Sequence, residues 1–388
     1  MSPTALQKAP VGPMGAELAA GRLSISTKVS FATIAGRNVL FDETDQKLFE
    51  INDTAAYIWC AVADGLAQKA ILQELRDQGL APETAQAYVE TAVHEWIGLG
   101  FMRPAPASAG AFLPDQPLVC QDIQVAGTAV RIRYATGLAC AVAPVFDHLE
   151  VQGIAPDLVL ELVERGEQVD LFRNDDWLFS CSHEELATLL KGQLLEEVLG
   201  AGIYELALHA ASLVRTGRML LLCGRPGAGK TTLTLALLDA GFGFAGDDLA
   251  LLDAQGHVSG VPFAPAVKEG AWDLVAAYRP DIYDTAVFCR PDRQRVRYPA
   301  PRGLVPASPY PVGWLVLLDR HPEAAATLAP VDPITAVSWT LAEGYAQGRR
   351  LTTTGFRAVG RAVDRAEYFR LTYSRLEDAV ELLQRACR

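Results

Sequence analysis

The residues with the clearest chemical meaning form a glycine-rich turn behind a short apolar run. Residues 220–223 are Leu, Leu, Leu and Cys, and the sequence GRPGAGKT that follows fits the pattern GxxxxGK[ST] at every required position. Glycines let several backbone N–H groups approach a polyphosphate closely, where a Cβ atom would obstruct. We therefore predict a P-loop, with nucleotide contacts from Gly224, Arg225, Pro226, Gly227, Ala228, Gly229, Lys230, Thr231 and Thr232.

Two side chains of this loop suit a nucleoside triphosphate. Lys230 supplies a point charge to the β- and γ-phosphates, and the Thr231 hydroxyl is placed to ligate Mg²⁺. A helix predicted at 232–240 directs its positive end at the same anions. The alternative is a glycine-rich turn that binds nothing, but an apolar strand before the turn and a helix after it favour the nucleotide site.

A pair of carboxylates follows a predicted strand at 242–245. Asp247 stands 17 residues after Lys230, and Asp248 is its neighbour. A P-loop enzyme holds Mg²⁺ through a carboxylate at the end of the neighbouring strand. With two carboxylates, one can organise the metal while the other accepts a proton from an attacking hydroxyl. The alternative is a solvated turn in which one Asp caps a helix.

A histidine precedes the loop. His209 lies 21 residues before Lys230, at the start of a predicted β-hairpin that turns at Thr216 and Gly217. This hairpin would place His209 on a strand beside the P-loop strand. The alternative is a core histidine with satisfied hydrogen bonds, which is the commoner role of a lone His in an apolar stretch.

In this order and at these spacings, His209, the glycine loop and the Asp pair resemble the HPr kinase/phosphorylase superfamily of P-loop serine kinases. The resemblance implies that Asp248 is the proton acceptor and that His209 assists it. It also implies that Lys230 holds phosphates, and that Thr231 and Asp247 hold Mg²⁺.

Two features depart from that superfamily. Thr231 and Thr232 stand where the family usually has Ser and Glu, and the C-terminal signature of the family is not visible. The corresponding segment, GVPFAPAVKEG at 260–270, is similar to divergent HPr-kinase-like proteins found with peptide-modification genes. This similarity implies a substrate or phosphate contact for Lys268, and the missing signature argues against a reverse, phosphorylase reaction.

Composition limits the class of protein. Half of the 388 residues are apolar and 21% are charged, as in soluble globular proteins of two or three domains. No apolar run approaches the roughly 18 residues of a membrane span. Residues 1–21 are expected to form a loose, disordered tail and not a signal peptide. The 7 scattered cysteines indicate reduced thiols in a cytoplasm, and the net charge of −12 argues against nucleic acid.

Residues 22–104 have a distinct pattern of small elements. Short alternating segments at 29–35, 38–41 and 47–51 predict an antiparallel sheet. Three helices are expected to follow: one capped by Asn52, one at 68–78, and one from Pro82 to Gly98.

This region resembles the PqqD family, which binds the leaders of ribosomally made peptides; Asn52, Trp59, Asp64, Gly65 and Gly100 carry the resemblance. It implies that a leader adds a strand to an exposed sheet edge. The candidate contacts are Lys47, Leu48, Phe49, Glu50, Ile51 and Tyr88. The alternative is a winged-helix-like domain that only packs against the rest or reads DNA. Residues 1–115 hold 8 Lys plus Arg against 13 Asp plus Glu, which disfavours DNA.

The remaining segments complete an α+β and α/β multidomain fold class. Residues 105–117 form a predicted linker, and 118–204 are expected to be a small β-rich layer with a helix at 183–198. Residues 205–388 would form a P-loop, HPr-kinase-like core. An arginine of the group Arg290, Arg293, Arg295, Arg297 and Arg302 could stabilise a transferring phosphoryl group or clamp substrate.

These patterns together predict a kinase fused to a leader-binding domain. It would use ATP and Mg²⁺ to phosphorylate a Ser or Thr hydroxyl of a precursor peptide that provides both leader and core. Other peptide-maturation enzymes and a homo-oligomer are compatible with this prediction, whereas nucleic-acid and membrane partners are not expected. Two alternatives stay open: a nucleotide-gated peptide chaperone without phosphotransfer, and a kinase of a small-molecule acceptor.

Overall fold

A computed structural model describes residues 23–43, 46–104, 118–174, 176–202, 204–346 and 350–388. The predicted tail, 1–21, and the predicted linker, 105–117, lie outside the described residues. The described residues form a mixed α/β protein with several sheets. Within these ranges, no helix has the length and apolar composition needed to cross a lipid bilayer.

The first elements follow the predicted order of three strands and three helices. They are β1 (Leu23–Ile25), β2 (Val29–Ile34), β3 (Arg37–Asp42), β4 (Lys47–Ile51), α1 (Asp53–Ala63), α2 (Gln68–Asp77), α3 (Pro82–Gly98) and β5 (Met102–Pro104). The predicted cap of α1 is confirmed, because Asn52 Oδ1 accepts a hydrogen bond from the Ala55 N–H at 2.8 Å.

The middle of the chain is rich in strands, as predicted. Its elements are β6 (Leu118–Val125), β7 (Thr128–Ala135), α4 (Thr136–Val142), β8 (Leu158–Arg165), β9 (Gln168–Arg173), β10 (Asp176–Ser182) and α5 (Leu186–Gly200). Helix α5 therefore begins and ends slightly later than the predicted range of 183–198.

The last part contains the glycine loop. Its elements are β11 (Leu206–Leu208), β12 (Ala210–Arg215), β13 (Arg218–Cys223), α6 (Lys230–Asp239), β14 (Gly243–Gly246), β15 (Ala250–Leu252), β16 (His257–Gly260), β17 (Val267–Lys268), α7 (Trp272–Ala276), β18 (Val287–Cys289), β19 (Arg295–Arg297), β20 (Tyr310–Arg320), β21 (Thr327–Pro330), α8 (Pro333–Ala342), β22 (Gly344–Tyr345), α9 (Thr353–Val363), β23 (Glu367–Tyr373) and α10 (Leu376–Ala386). The hairpin predicted at Thr216 and Gly217 is confirmed. The prediction that α6 starts at residue 232 is wrong. The helix begins at Lys230, and Gly229, with a φ of 90°, is its N-cap.

Contacts divide the chain into two compact units. The first unit comprises residues 1–118 and 160–181, and the second comprises 119–159 and 182–388. The segment 118–204, predicted as one layer, is thus shared between the two units.

In the first unit, β2, β3 and β4 form an antiparallel sheet in that order, so β4 lies at an edge. Helices α1, α2 and α3 pack around a core in which Trp59 and Trp96 meet edge to face, with ring centroids 5.2 Å apart. The apolar spacing that predicted the helices supplies this core.

A buried arginine fixes the later strands of the same unit onto this core. The Arg103 guanidinium donates to Asp170 Oδ2 at 2.6 Å and lies between the rings of Phe172 and Trp177. Burial, partly offset by Asp170, lowers the pKa of Arg103 to about 10. Because Arg103 precedes the linker and Asp170 follows it, residues 160–181 complete this unit.

In the second unit, strand β13 stands in the middle of the sheet. It pairs antiparallel with β12 and parallel with β20, and β20 pairs parallel with β23. Since β14 is antiparallel to β12, it runs in the same direction as β13. The carboxyl ends of β13, β14, β20 and β23 therefore meet at one edge of the sheet.

The apolar run before the glycine loop packs into two cores, one on each face of the sheet. Leu220 and Leu222 face a core that includes residues of α6 and α10. Leu221 and Cys223 face the opposite core, which includes residues of α9. Because successive strand residues point to opposite faces, a strand covered on both sides is apolar throughout.

A histidine holds the segment 119–159 to the rest of the second unit. His148 Nε2 lies 2.7 Å from the carbonyl oxygen of Pro262, so this nitrogen carries the proton of the neutral ring. His148 Nδ1 is buried and has no hydrogen-bond partner among the described residues. Burial lowers the pKa of His148 to about 4.

We expect His148 to make the second unit sensitive to acid. Its folded-state pKa lies below that of a free histidine, so the stabilisation is complete above about pH 6.5 and is lost as the pH falls towards 4. In His148→Gln, an amide N–H can still reach the carbonyl but cannot gain a charge. Urea unfolding at pH 7 and pH 4 should show a smaller loss of stability in this variant, by up to about 3 kcal/mol. Equal losses would contradict the assignment.

Candidate functional site

The glycine loop, residues 224–231, joins β13 to α6. Gly227 and Gly229 have φ values of 85° and 90°, which an L side chain rarely adopts. A Cβ atom on Gly229 would lie 2.7 Å from Tyr373 Oη, so the position is also too crowded for alanine. Tyr373 Oη donates to the Ala228 carbonyl at 3.1 Å and so ties the loop to the end of β23.

Lys230 lies inside this loop. The residue is buried, and Nζ donates to the Gly224 carbonyl at 2.6 Å. Burial lowers the pKa of Lys230. The ammonium group therefore stands at the centre of the turn, where an entering phosphate would meet it.

Asp247 faces the loop from the end of β14. Thr231 Oγ1 donates to Asp247 Oδ2 at 2.9 Å, whereas Oδ1 is buried without a hydrogen-bond partner among the described residues. Burial and the neighbouring charge of Asp248 raise the pKa of Asp247 to about 7.

The Asp247 and Thr231 oxygens fit a hard divalent cation. Mg²⁺ prefers oxygen ligands and usually keeps waters and substrate phosphates in its shell. A cation would also satisfy the orphaned Oδ1 and favour the ionised carboxylate. Among the described residues, no group of three or more His, Cys, Asp or Glu side chains could hold a metal, so phosphate oxygens would have to complete the shell.

Asp248 has a different environment from its neighbour. Its Oδ2 accepts a hydrogen bond from Lys191 Nζ at 2.7 Å, and its side chain keeps 41% of its surface exposed against 11% for Lys191. The Lys191 charge holds the pKa of Asp248 below its usual range. One carboxylate is thus kept ionised and accessible, while the adjacent one is buried.

Lys191 was not predicted as a site residue. It projects from α5, whose other buried positions include Leu186, Leu190 and Leu194. A lysine on the apolar stripe of a helix was a signal in the sequence, although it did not identify Asp248 as the partner.

The structure brings His209 to this pair through the backbone. His209 Nδ1 lies 3.0 Å from the carbonyl oxygen of Asp248, and the residue is exposed just before β12. Since a carbonyl only accepts, Nδ1 carries the proton and Nε2 is left with its lone pair. His209 therefore supports the main chain at Asp248 and does not contact its carboxylate.

A cavity of about 490 Å³ connects these groups. It is lined by the glycine loop together with His209, Asp248, Lys268, Arg290 and Arg320. Lys268, for which the resemblance implies a substrate or phosphate contact, lines the cavity and is exposed. This cavity would admit a terminal phosphate and an acceptor hydroxyl between the lysine and the carboxylate.

Of the five arginines considered from the sequence, Arg290 alone lines this cavity. Three of the other four have partners elsewhere. Arg295 pairs with Glu269, Arg302 pairs with Asp281, and Arg297 donates to the backbone carbonyls of residues 282, 283 and 285. Arg320, at the end of β20, lines the cavity and was not predicted.

The candidate peptide contacts lie in the first unit. On the edge strand β4, Leu48 is 62% exposed, and Lys47 is also at the surface. Phe49 and Ile51 instead pack against the core, and Glu50 forms an ion pair with Arg37. Tyr88, on α3, is 46% exposed. Of the six candidates, Lys47, Leu48, Glu50 and Tyr88 are exposed, and Glu50 is engaged by Arg37.

Comparison with known families and curated proteins identifies no relative of this chain. No protein-family model matches the chain, and no curated protein matches it significantly. A function for these sites has to follow from their own atoms.

We expect the Lys191–Asp248 pair to be energetically coupled. Removing either charge leaves the other in a partly dry site, so Lys191→Met and Asp248→Asn should each destabilise the protein. The double variant should lose less free energy of unfolding than the two single variants together. The difference, which is the coupling energy, should be about 1–2 kcal/mol after allowance for the exposure of Asp248. Urea unfolding of the four proteins measures this coupling. Strictly additive costs would show that the pair contributes nothing.

Proposed function

We propose that this chain is an ATP-dependent kinase that phosphorylates a Ser or Thr hydroxyl of a ribosomally made precursor peptide. One observation carries the proposal: a single cavity is lined by the glycine loop with Lys230, by the ionised Asp248 and by His209. Phosphoryl transfer needs a phosphate cradle and a nearby proton acceptor, and this cavity offers both.

The order of elements supports the assignment of each unit. In the second unit, a buried strand, a GxxxxGKT loop and a helix are followed by a strand that ends at two aspartates, as in HPr-kinase-like P-loop proteins. In the first unit, an edge strand and three helices are what a PqqD-like, leader-binding domain requires. The free thiols of all 7 cysteines are compatible with a cytoplasmic protein.

The loop residues would bind the nucleotide. The backbone N–H groups of the glycine loop and the Lys230 ammonium meet the β- and γ-phosphates, at the positive end of α6. Thr231 and Asp247 would hold Mg²⁺, which neutralises charge on these phosphates.

The reaction itself is a direct displacement. The acceptor oxygen attacks the γ-phosphorus, its proton passes to Asp248, and the bond from the γ-phosphorus to the bridging oxygen breaks to release ADP. Lys191 anchors Asp248 Oδ2, which leaves Oδ1 as the proton acceptor. His209 fixes the peptide plane behind Asp248 and so orients the carboxylate.

The first unit would recruit the peptide. An extended leader can add a strand at β4, where Leu48 offers an exposed apolar contact. The core peptide, being tethered to a bound leader, then reaches the second unit at an effective concentration on the order of millimolar. The kinase site can therefore accept a core peptide with few specific contacts.

We expect Asp248→Asn to abolish transfer without abolishing nucleotide binding. Loss of the proton acceptor should lower kcat by at least about 100-fold, while the Kd for Mg-ATP changes little. Mass spectrometry of the purified precursor peptide measures the first quantity, and calorimetry measures the second. Asp239→Asn, at the exposed far end of α6, is the matched control.

A variant Asp248→Asn that still transfers phosphate would exclude this mechanism. If the wild-type protein responds to ATP but adds no phosphate to the peptide, the chain is a nucleotide-gated chaperone. Phosphorylation of a small molecule in place of the peptide would identify the other alternative.

We expect Leu48→Asp to affect the leader-dependent part of the reaction alone. A charge on the exposed edge should lower kcat/KM for the full precursor about 10-fold, the effect of losing one apolar contact of about 1.4 kcal/mol. Activity on a leaderless core peptide should be unchanged. Leu99→Asp, at an exposed apolar residue outside the edge strand, serves as control. Equal losses on both peptides would place leader binding elsewhere.

A further inference from the structure

A second and larger cavity adjoins the glycine loop on the side of the parallel strands. Its volume is about 850 Å³, and it is lined by residues 224–228, the ends of β20 and β23, and α8. Three arginines line it, namely Arg225, Arg320 and Arg370, together with Asp319 and Trp339. Pockets of this size accommodate small ligands such as nucleotides.

The arginines in this cavity have no partner of their own. Within the described chain, the side chains of Arg225, Arg320 and Arg370 make no ion pair and no hydrogen bond, although Asp319 also lines the cavity. Other arginines of the second unit, such as Arg279 and Arg375, do pair with carboxylates. All three arginines are exposed, and with only Asp319 as a lining carboxylate they give the cavity an excess of positive charge, which attracts anions. The cavity is therefore suited to an anionic ligand.

An aromatic surface stands beside these charges. Trp339 is half-buried and packs against the core that α9 covers, while it also lines the cavity. An indole face gives a planar base a surface to stack on, and such stacking contributes about 1–3 kcal/mol per base. Phosphate together with a planar ring is the chemistry of a nucleotide.

Arg320 connects this cavity to the catalytic one. It lines the 490 Å³ cavity that holds Lys230 and Asp248 as well as the 850 Å³ cavity that holds Trp339. One extended ligand can therefore contact the glycine loop, Arg320 and Trp339 together. A ligand that filled the larger cavity alone would still touch loop residues 224–228.

We infer that the nucleoside of the triphosphate lies in the larger cavity, with its base stacked on the Trp339 indole and its phosphates passing Arg320 into the glycine loop. This inference rests on the proposed function, since it assigns the nucleoside end of the same substrate. Because stacking favours the larger ring systems, purine nucleotides bind more tightly than pyrimidine nucleotides.

A smaller cavity on the other face of the sheet is the competing location. Its volume is about 230 Å³, and its lining includes Leu274, Tyr373 and Glu377. Tyr373 is buried and its hydroxyl is engaged by the loop, so its ring is not free to stack on a base. The volume of this cavity is also below the roughly 300–1,000 Å³ that small-ligand pockets usually have.

Calorimetry on the full chain with two probes tests this inference. The probes are Mg-ATP and inorganic tripolyphosphate, which has the phosphates but no nucleoside. Trp339→Ala should weaken ATP binding at least about 10-fold, as loss of stacking implies, and leave tripolyphosphate binding within about 2-fold. Trp339→Phe should restore most of the ATP affinity, which separates stacking from a folding defect. Leu274→Ala, in the smaller cavity, should change neither affinity.

Three results would overturn the inference: unchanged ATP binding in Trp339→Ala, an equal loss for both probes, or a selective loss of ATP binding in Leu274→Ala. A wild-type protein that binds neither probe would overturn the proposed kinase as well. If ATP binding depends on Trp339 but no peptide is phosphorylated, the nucleoside site is supported and the proposed transfer to a peptide is contradicted.

Discussion

The second unit depends on how two adjacent carboxylates are accommodated at the end of β14. Asp247 and Asp248 are neighbours in the chain, so both can be ionised at low cost only if positive charge reaches each of them. Lys191 donates to Asp248 at 2.7 Å and keeps it ionised. Among the described residues, Asp247 accepts a side-chain hydrogen bond from Thr231 alone, and burial raises its pKa to about 7. In the proposed function, a cation held by Asp247, Thr231 and the nucleotide phosphates would supply positive charge to Asp247.

The sheet determines where this imbalance is located. Strand β13 can lie at the centre because its run of leucines serves a core on each face. Because β13 is central, the carboxyl ends of the parallel strands and of β14 lie at one edge of the sheet. Polar residues that would be unfavourable in the apolar core lie together at this edge. Helix α5 then adds a lysine from outside the sheet. Burial of apolar residues thus stabilises the sheet, and the sheet holds these polar side chains together.

Local signals in the sequence were enough to predict much of this arrangement. The glycine loop, the hairpin at Thr216–Gly217 and the Asn52 cap are each encoded within a few neighbouring residues, and the structure has all three. The partners of the site were not predictable in this way. Lys191 and Asp248 are far apart in the chain. Arg320 and Trp339 can be recognised as cavity residues only when β20 and α8 are placed beside the loop. No local pattern specifies strand order, so these contacts required coordinates.

The first unit is not formed from the N-terminal part of the chain alone. Residues 160–181 belong to it, so the chain leaves this unit after residue 118 and returns to it before residue 182. Arg103 contributes to this return, since its guanidinium lies over the rings of Phe172 and Trp177 and pairs with Asp170, which also pairs with Arg165. A chain without residues 1–104 would leave Asp170 without this partner and expose both rings to water. If the first unit binds the leader, as proposed, its fold depends on residues 160–181 as well as on residues before the predicted linker.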